Sequence, residues 1–257
     1  MNIGKEELKA KVLKPALILA AVALISAFLL SHVNRSTSKV IKARQLEKQT
    51  QAVKSVLFGY SNIIEEKAIV DGETVNYWVG SREIKDKKNE DQENEVIESK
   101  IEKAYAMLAS EPGYSGNINT MVGFNSELKV LEIVILHQTE TPGLGTVCVE
   151  VADDTTLADI VTGKKKESKI KRPWFQEQFV GLSMSEPVRI EHKGDWTLQM
   201  RDELLKKNAI TAITGATITS RAVLNSVEHK AQQLKKILSA KREKEKSEEN
   251  ENNRGTE

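Results

Sequence analysis

One cysteine, Cys148, stands among 257 residues. A disulfide framework within the chain, a multi-cysteine zinc site and a cysteine-held iron–sulfur cluster are all excluded. Its position far from the start excludes a lipobox as well. Aromatic residues make up 5% of the sequence, too few for a platform on which nucleic-acid bases stack. Neither sign of charge is in surplus: Lys plus Arg is 38, Asp plus Glu is 37, and the net charge is +1. Nucleic-acid binders carry a basic excess, so that class is set aside. The four histidines, His32, His137, His192 and His229, are too scattered to suggest a metal site by spacing. No G-x-G-x-x-G follows a strand-like run, and no nucleophile or general base stands out. No catalytic residue and no metal ligand are assigned.

A long apolar run lies near the start. Pro15 to Val33, PALILAAVALISAFLLSHV, carries no formal charge. At about 1.5 Å per helical residue it approaches the roughly 30 Å of a bilayer's hydrocarbon core. Lys11 and Lys14 precede it and can snorkel to the interface. A cleaved signal peptide is the alternative, but its apolar stretch is normally shorter, and no small-x-small site follows the run cleanly. The reading taken is a retained transmembrane helix over 15–33 behind a short segment over 1–14. Lysines lie before the run, and Arg35, Lys39, Lys42, Arg44 and Lys48 lie after it. The positive-inside count therefore leaves the topology undecided.

Beyond the membrane run, Ser36, Thr37 and Ser38 can cap a helix. Val40, Ala43, Leu46, Val53, Val56 and Leu57 fall roughly on one face of it. Asp71-Gly72 signals a hairpin inside KAIVDGETVNYWVG. Lys85 to Glu95 has no apolar residue and reads as a solvated surface insertion or a docking segment. Ile97, Ile101, Ala104 and Leu108 predict another amphipathic helix. Strands are expected over 119–125 and 129–138 around Asn125-Ser126, with the apolar positions of 129–136 in the core. A further strand is expected over Thr146–Val151, and a hairpin over 188–198 around Lys193-Gly194. The basic stretch 163–172 reads as an exposed loop, open to anionic lipid or a partner. The last helix should begin near Thr219 or Ser220, with Ala222, Val223, Val227, Ala231, Leu234 and Leu238 as its apolar stripe. From Ser239 the chain is a charged tail over 239–257, expected to be disordered at its end. The fold class expected is α+β: one transmembrane helix, then a domain with an antiparallel sheet and packed helices.

Thr214 to Ser220 reads TGATITS, between a strand-like run and the last helix. Gly215 permits a tight turn and a close approach to a ligand. Thr217 falls at or just before a helix N-terminus, where free N–H groups and the helix dipole favour a phosphate. On these residues alone, a glycine turn with Ser/Thr caps is the simpler reading. Likewise Pro142-Gly143-Leu144-Gly145 reads as an ordinary hairpin loop, although its glycines leave backbone N–H groups uncovered and Leu144 could cover an apolar ring.

Taken together, several ordered motifs resemble a known family: GYSG (113–116), MVGFN (121–125), ETPGLG (140–145), WFQEQFVGLS (174–183) and ITGATITSRAV (213–223). They resemble the FMN-binding domain of the G subunit of Rnf-type electron transport complexes. A more distant relative is the C subunit of sodium-pumping NADH:quinone reductases. The resemblance implies FMN attached through a phosphoester to Thr217, with Thr214, Gly215 and Ala216 shaping the turn and Thr219 as a further hydroxyl contact. Glu140, Thr141, Leu144 and Gly145 would lie beside the flavin, where the PGLG loop meets the start of the last helix. The family often has an acid three positions before the motif; here that residue is Thr211, which suggests that another acid takes its place.

The resemblance further implies an electron-relay subunit of an ion-translocating ferredoxin:NAD oxidoreductase complex. Its segment 1–14 would be cytoplasmic, and 34–238 would form the FMN-binding domain on the outer side of the cytoplasmic membrane. Its partners would be the membrane and iron–sulfur subunits of the complex, membrane lipid, and a flavin transferase for maturation. The competing reading is a membrane-anchored scaffold without covalent flavin.

Overall fold

The computed structural model describes residues 5–86, 98–151, 172–191 and 197–254. The chain divides into two units, Met1–Lys48 and Gln49–Glu257. Helix α1 (Lys5–Val56) forms the first unit and supplies the opening turns of the second. It is long and apolar enough to cross a membrane, with a mean hydropathy of 2.4 in its most apolar window and none of that window buried. No new helix starts at Ser36–Ser38. Instead Thr37 Oγ1 donates to the Val33 carbonyl at 2.9 Å, and Ser38 bonds back to Asn34. These hydroxyls bond back to carbonyls a turn earlier and α1 runs on. Val40 and Leu46, expected on an apolar face, are exposed.

The second unit is built on a five-stranded antiparallel sheet in the order β1-β2-β3-β4-β5. Its strands are β1 (Ser61–Val70), β2 (Glu73–Asp86), β3 (Glu98–Pro112), β4 (Asn117–Asn125) and β5 (Val130–His137). Asp71-Gly72 turns the first hairpin, with Val70 paired to Glu73. The β4–β5 turn is held by Asn125, whose Oδ1 accepts the N–H groups of Glu127 at 3.0 Å and Lys129 at 2.9 Å.

The segment expected to be an amphipathic helix is β3. It is a central strand buried on both faces: Tyr105 and Met107 enter one core, while Ala104 and Ala106 enter the other. Such a strand loses the alternation that marks a half-exposed one, and its apolar positions happen to fall at helical spacing. The strand expected over Thr146–Val151 is a 3-10 turn, Gly145–Val149, with Gly145 and Cys148 buried; Val151 makes an isolated bridge to Pro173.

The main core lies between one sheet face and two helices. Helix α2 (Trp174–Glu177) places Phe175 edge-on to Phe179, their centroids 5.6 Å apart. Between α2 and the last helix lies a short α3 (Arg201–Lys206). Helix α4 (Thr217–Arg254) buries Val223, Val227, Ala231 and Leu234 against Tyr77, Met107, Val122 and Phe124. On the other face Ala52, Val53, Val56 and Leu57 pack on Ala104, Ala106 and Met121. In β5, Val130 and Ile133 enter the main core, and Leu131, Val134 and Leu136 pack toward the second.

Among the described residues of the stretch expected as a hairpin, 188–198, one strand is present. β6 (Arg189–Glu191) pairs in parallel with β7 (Ala209–Thr211), and Lys193-Gly194 lies outside the described residues. Of the polar stretch 85–95, Lys85 and Asp86 end β2 and the rest lies outside the described residues. Of 163–172 only Arg172 is described. It pairs with Glu132 at 3.2 Å and Glu177 at 3.5 Å.

The last helix begins at Thr217, two residues before the expected start, and continues to Arg254 instead of ending in a tail at Ser239. Lys, Glu, Arg and Gln are good helix formers, and α4 is also tied down along this stretch. Lys236 reaches Asp71 at 2.6 Å, and Lys241 pairs with Glu66.

Candidate functional site

The site begins at the end of β7. Gln178 grips this strand: its Oε1 accepts the Thr211 N–H at 2.8 Å and its Nε2 donates to the Thr211 carbonyl at 3.1 Å. The chain then turns at Thr214-Gly215, where Gly215 adopts φ +76°, a conformation that favours glycine. The Ala216 N–H donates to the Ile213 carbonyl at 2.9 Å. Ser220 closes the junction by accepting the Ile213 N–H at 2.9 Å and donating to the Ala216 carbonyl at 3.1 Å. Strand end and helix start are thus one hydrogen-bonded unit. Thr217 opens α4 with its side chain half-buried; Ala216 and Thr219 are buried, and Thr214 is exposed.

The opposing wall is the loop after β5. The Gly143 N–H donates to Thr146 Oγ1 at 3.0 Å, and the Leu144 N–H to the Thr141 carbonyl at 3.2 Å. The loop presents Glu140, which is only 5% exposed. One carboxylate oxygen accepts the Ser115 N–H at 3.0 Å, and the other accepts a short hydrogen bond from Thr219 Oγ1, 79 residues away in sequence. Glycines make room for this carboxyl group: a Cβ on Gly113 would meet Glu140 Oε1 at 2.5 Å, and one on Gly145 would meet Oε2 at 2.7 Å.

Between these walls lies a cleft of about 530 Å³. Of the residues predicted from sequence, it brings together Glu140, Thr141, Leu144, Gly145, Gly215, Ala216, Thr217 and Thr219. Thr214 shapes the turn and is not part of the lining. Two lining residues were not singled out in the sequence, Tyr114 and Ile218. Both sit inside quoted motifs, and the signal is an exposed apolar side chain beside a glycine turn: Tyr114 is 70% exposed and Ile218 55%. With Leu144 they give the cleft an apolar rim. Glu140 is the only charged residue among the described lining. Beneath the loop Cys148 is fully buried, and its thiol is pushed up to about 12, chiefly by burial and further by the nearby Glu140 charge. It stays a protonated, unreactive thiol.

Thr211 is fully buried, and its Oγ1 has no hydrogen-bond partner among the described residues. It lies in β7 and does not line the cleft. The acid that does reach the cleft is Glu140.

Residues 113–232 match the FMN-binding domain family, and residues 1–56 match the RnfG N-terminal region. Among curated proteins the chain is 33% identical to the G subunit of an ion-translocating oxidoreductase complex from Pectobacterium atrosepticum, over 52% of this chain and 51% of that one. It is 30% identical to the G subunit of a proton-translocating ferredoxin:NAD(+) oxidoreductase complex from Clostridium ljungdahlii, over 51% of this chain and 53% of the relative. The chain spans about half the length of these two. A longer match, 25% identical over 92% of this chain and 94% of the other, is to the G subunit of an ion-translocating oxidoreductase complex from Buchnera aphidicola. A solved structure, the C subunit of the Na(+)-translocating NADH-quinone reductase from Parabacteroides distasonis, is 20% identical with a TM-score of 0.40, covering 73% of this chain and 90% of that one. The two matched regions follow one another in the order in which the anchor-like helix and the cleft occur: the chain is RnfG-like, an RnfG-type N-terminal region followed by a match to the FMN-binding domain.

Proposed function

We propose that the chain is the membrane-anchored electron-relay subunit of an ion-translocating ferredoxin:NAD oxidoreductase complex, carrying FMN as a phosphoester on Thr217. The observation that carries this reading is the placement of Thr217: its side chain is accessible at the wall of a cofactor-sized cleft lined from three stretches distant in sequence. The volume falls in the roughly 300–1,000 Å³ range of small-molecule sites. FMN, when bound, supplies one- and two-electron redox chemistry.

The protein's own residues hold and shape. Thr217 offers the oxygen for the ester, and attachment keeps the carrier from being lost. Leu144, Ile218 and Tyr114 offer apolar surface to a flat ring. Glu140 supplies a carboxyl group whose two oxygens are already engaged by Ser115 and Thr219. The apolar stretch of α1 serves as the anchor, and the domain carrying the cleft faces the outer side of the cytoplasmic membrane. Maturation uses a flavin transferase with FAD as donor, and the partners are the membrane and iron–sulfur subunits of the complex. The names of the relatives support this assignment.

The test is coexpression with a flavin transferase followed by intact-mass measurement and denaturing electrophoresis. A mass increment of one FMN and a fluorescent band are expected, both lost in Thr217→Val. An unmodified mass despite active transferase would instead favour the scaffold reading. A label that persists in Thr217→Val would place the ester elsewhere.

A further inference from the structure

Thr217 also borders a second cleft. This one, about 370 Å³, is lined by Thr217, Ile218, Arg221 and Asn225 among others. A third, of about 290 Å³, continues from it past Arg221 and Asn225 to Glu228. Arg221 is the only basic side chain among the described residues that line the three clefts. It stands one turn after Thr217 on α4. Residues at that spacing are neighbours on a helix surface, and long helical side chains lean back toward the N-terminus, here toward the turn that carries Thr217.

Arg221 is exposed and has no hydrogen-bond or ion-pair partner among the described residues. The acidic side chains of these clefts are engaged elsewhere. Glu228 accepts the Val188 N–H at 3.0 Å, and Glu140 accepts from Ser115 and Thr219. A phosphate esterified on both sides keeps a single negative charge and two free oxygens. A guanidinium matches both features: it is permanently charged and presents two parallel donors.

We infer that Arg221 is the counter-cation of the phosphate carried on Thr217, fixing the ester against the first turn of α4. This rests on the reading of Thr217 as the attachment residue. The larger cleft then has no positive charge to supply, which fits a described lining whose one charged residue is Glu140.

The test uses the full chain coexpressed with transferase and purified in a phosphorus-free detergent. Intact mass scores the flavin load, and melting followed by circular dichroism scores the fold. Phosphorus-31 NMR of the loaded protein reads the ester directly. In Arg221→Gln the resonance should move toward that of the free threonine–FMN ester and narrow, and the anisotropy of flavin fluorescence should fall. Arg221→Lys should recover part of both changes. A resonance, line width and anisotropy unchanged in Arg221→Gln would overturn the inference.

If folded Arg221→Gln takes up no flavin while Arg221→Lys does, the cation is needed already during attachment and the inference stands. If neither folded variant takes it up, charge at 221 is not the determinant and the inference fails. A failure of the attachment reading shows separately, as a wild-type chain without the FMN mass or a label that survives Thr217→Val, and it takes the Arg221 inference with it.

Discussion

Thr211 Oγ1 is enclosed in β7 with nothing among the described residues to bond to. A buried hydroxyl left unsatisfied costs about 1–3 kcal/mol. Thr211→Val keeps the shape and removes the hydroxyl, so urea unfolding should show a gain of about 1 kcal/mol with the flavin load unchanged; a loss would mean that the hydroxyl is partnered. Glu132 gives a second expectation, this one dependent on pH. Its carboxyl is pushed above the ordinary 4.5, chiefly by burial, with Arg172 and Ser55 pulling the other way. The folded chain therefore holds this proton more tightly than the unfolded chain does. The stability gained is fully present below the ordinary value and is lost as pH rises through the raised one. Glu132→Gln should raise the melting temperature near neutral pH, and the gain should shrink as pH falls toward about 4. A gain that is flat or grows on acidification would refute the assignment. At this scale Glu140, Leu144 and Thr217 were named through the resemblance of their glycine-rich motifs, since on the residues alone both loops read as ordinary turns; the cleft brings the three together. Arg221 was not legible, because a surface arginine on a helix looks like any other until the clefts beside it are known.

Elements were less legible than residues. β3 carries apolar residues at helical intervals, yet Ala104 and Leu108 share one face of the strand, Ile101 is exposed, and Tyr105 and Met107 fill the opposite face. A single-sequence pattern cannot separate that case from an amphipathic helix. The 3-10 turn at Gly145–Val149 was read as a strand for a related reason: its valines are β-prone, but Gly145 must sit under Glu140 and Thr219, which bends the chain there. The hairpins at Asp71-Gly72 and Asn125-Ser126 were legible because turn chemistry is local. Where β4 meets the end of α1, a Cβ on Gly123 would lie 2.5 Å from the Val56 carbonyl oxygen and 3.0 Å from its Cβ. Helix backbone cannot yield as a side chain does. Gly123→Ala should therefore destabilise the second unit by about 1–3 kcal/mol, read as a lower urea midpoint with an unchanged slope. A midpoint within error of wild type would show that the helix end gives way.

At the scale of the whole molecule, orientation is what the charge count left open. The charged end of α4 is exposed at Lys241–Lys244, so a protease should cut there once it has access. With the domain on the outer side, trypsin added to intact spheroplasts should shorten the chain from its C-terminus; a protected terminus would reverse the topology. The cleft itself is a property of the whole second unit, since residues 113–115, 140–145 and 215–219 contribute to it from three separate stretches. Glu140 fills the space between them so completely that Gly113 and Gly145 have no room for even a methyl group. Substitutions at these positions cannot accumulate independently. A side chain gained at 113 meets the Glu140 carboxylate and Ile118, and one at 145 meets Glu140 down to its Cβ as well as Thr219, so shortening residue 140 does not by itself open either position. Change at any one of the three disturbs the hold on Ser115 and Thr219.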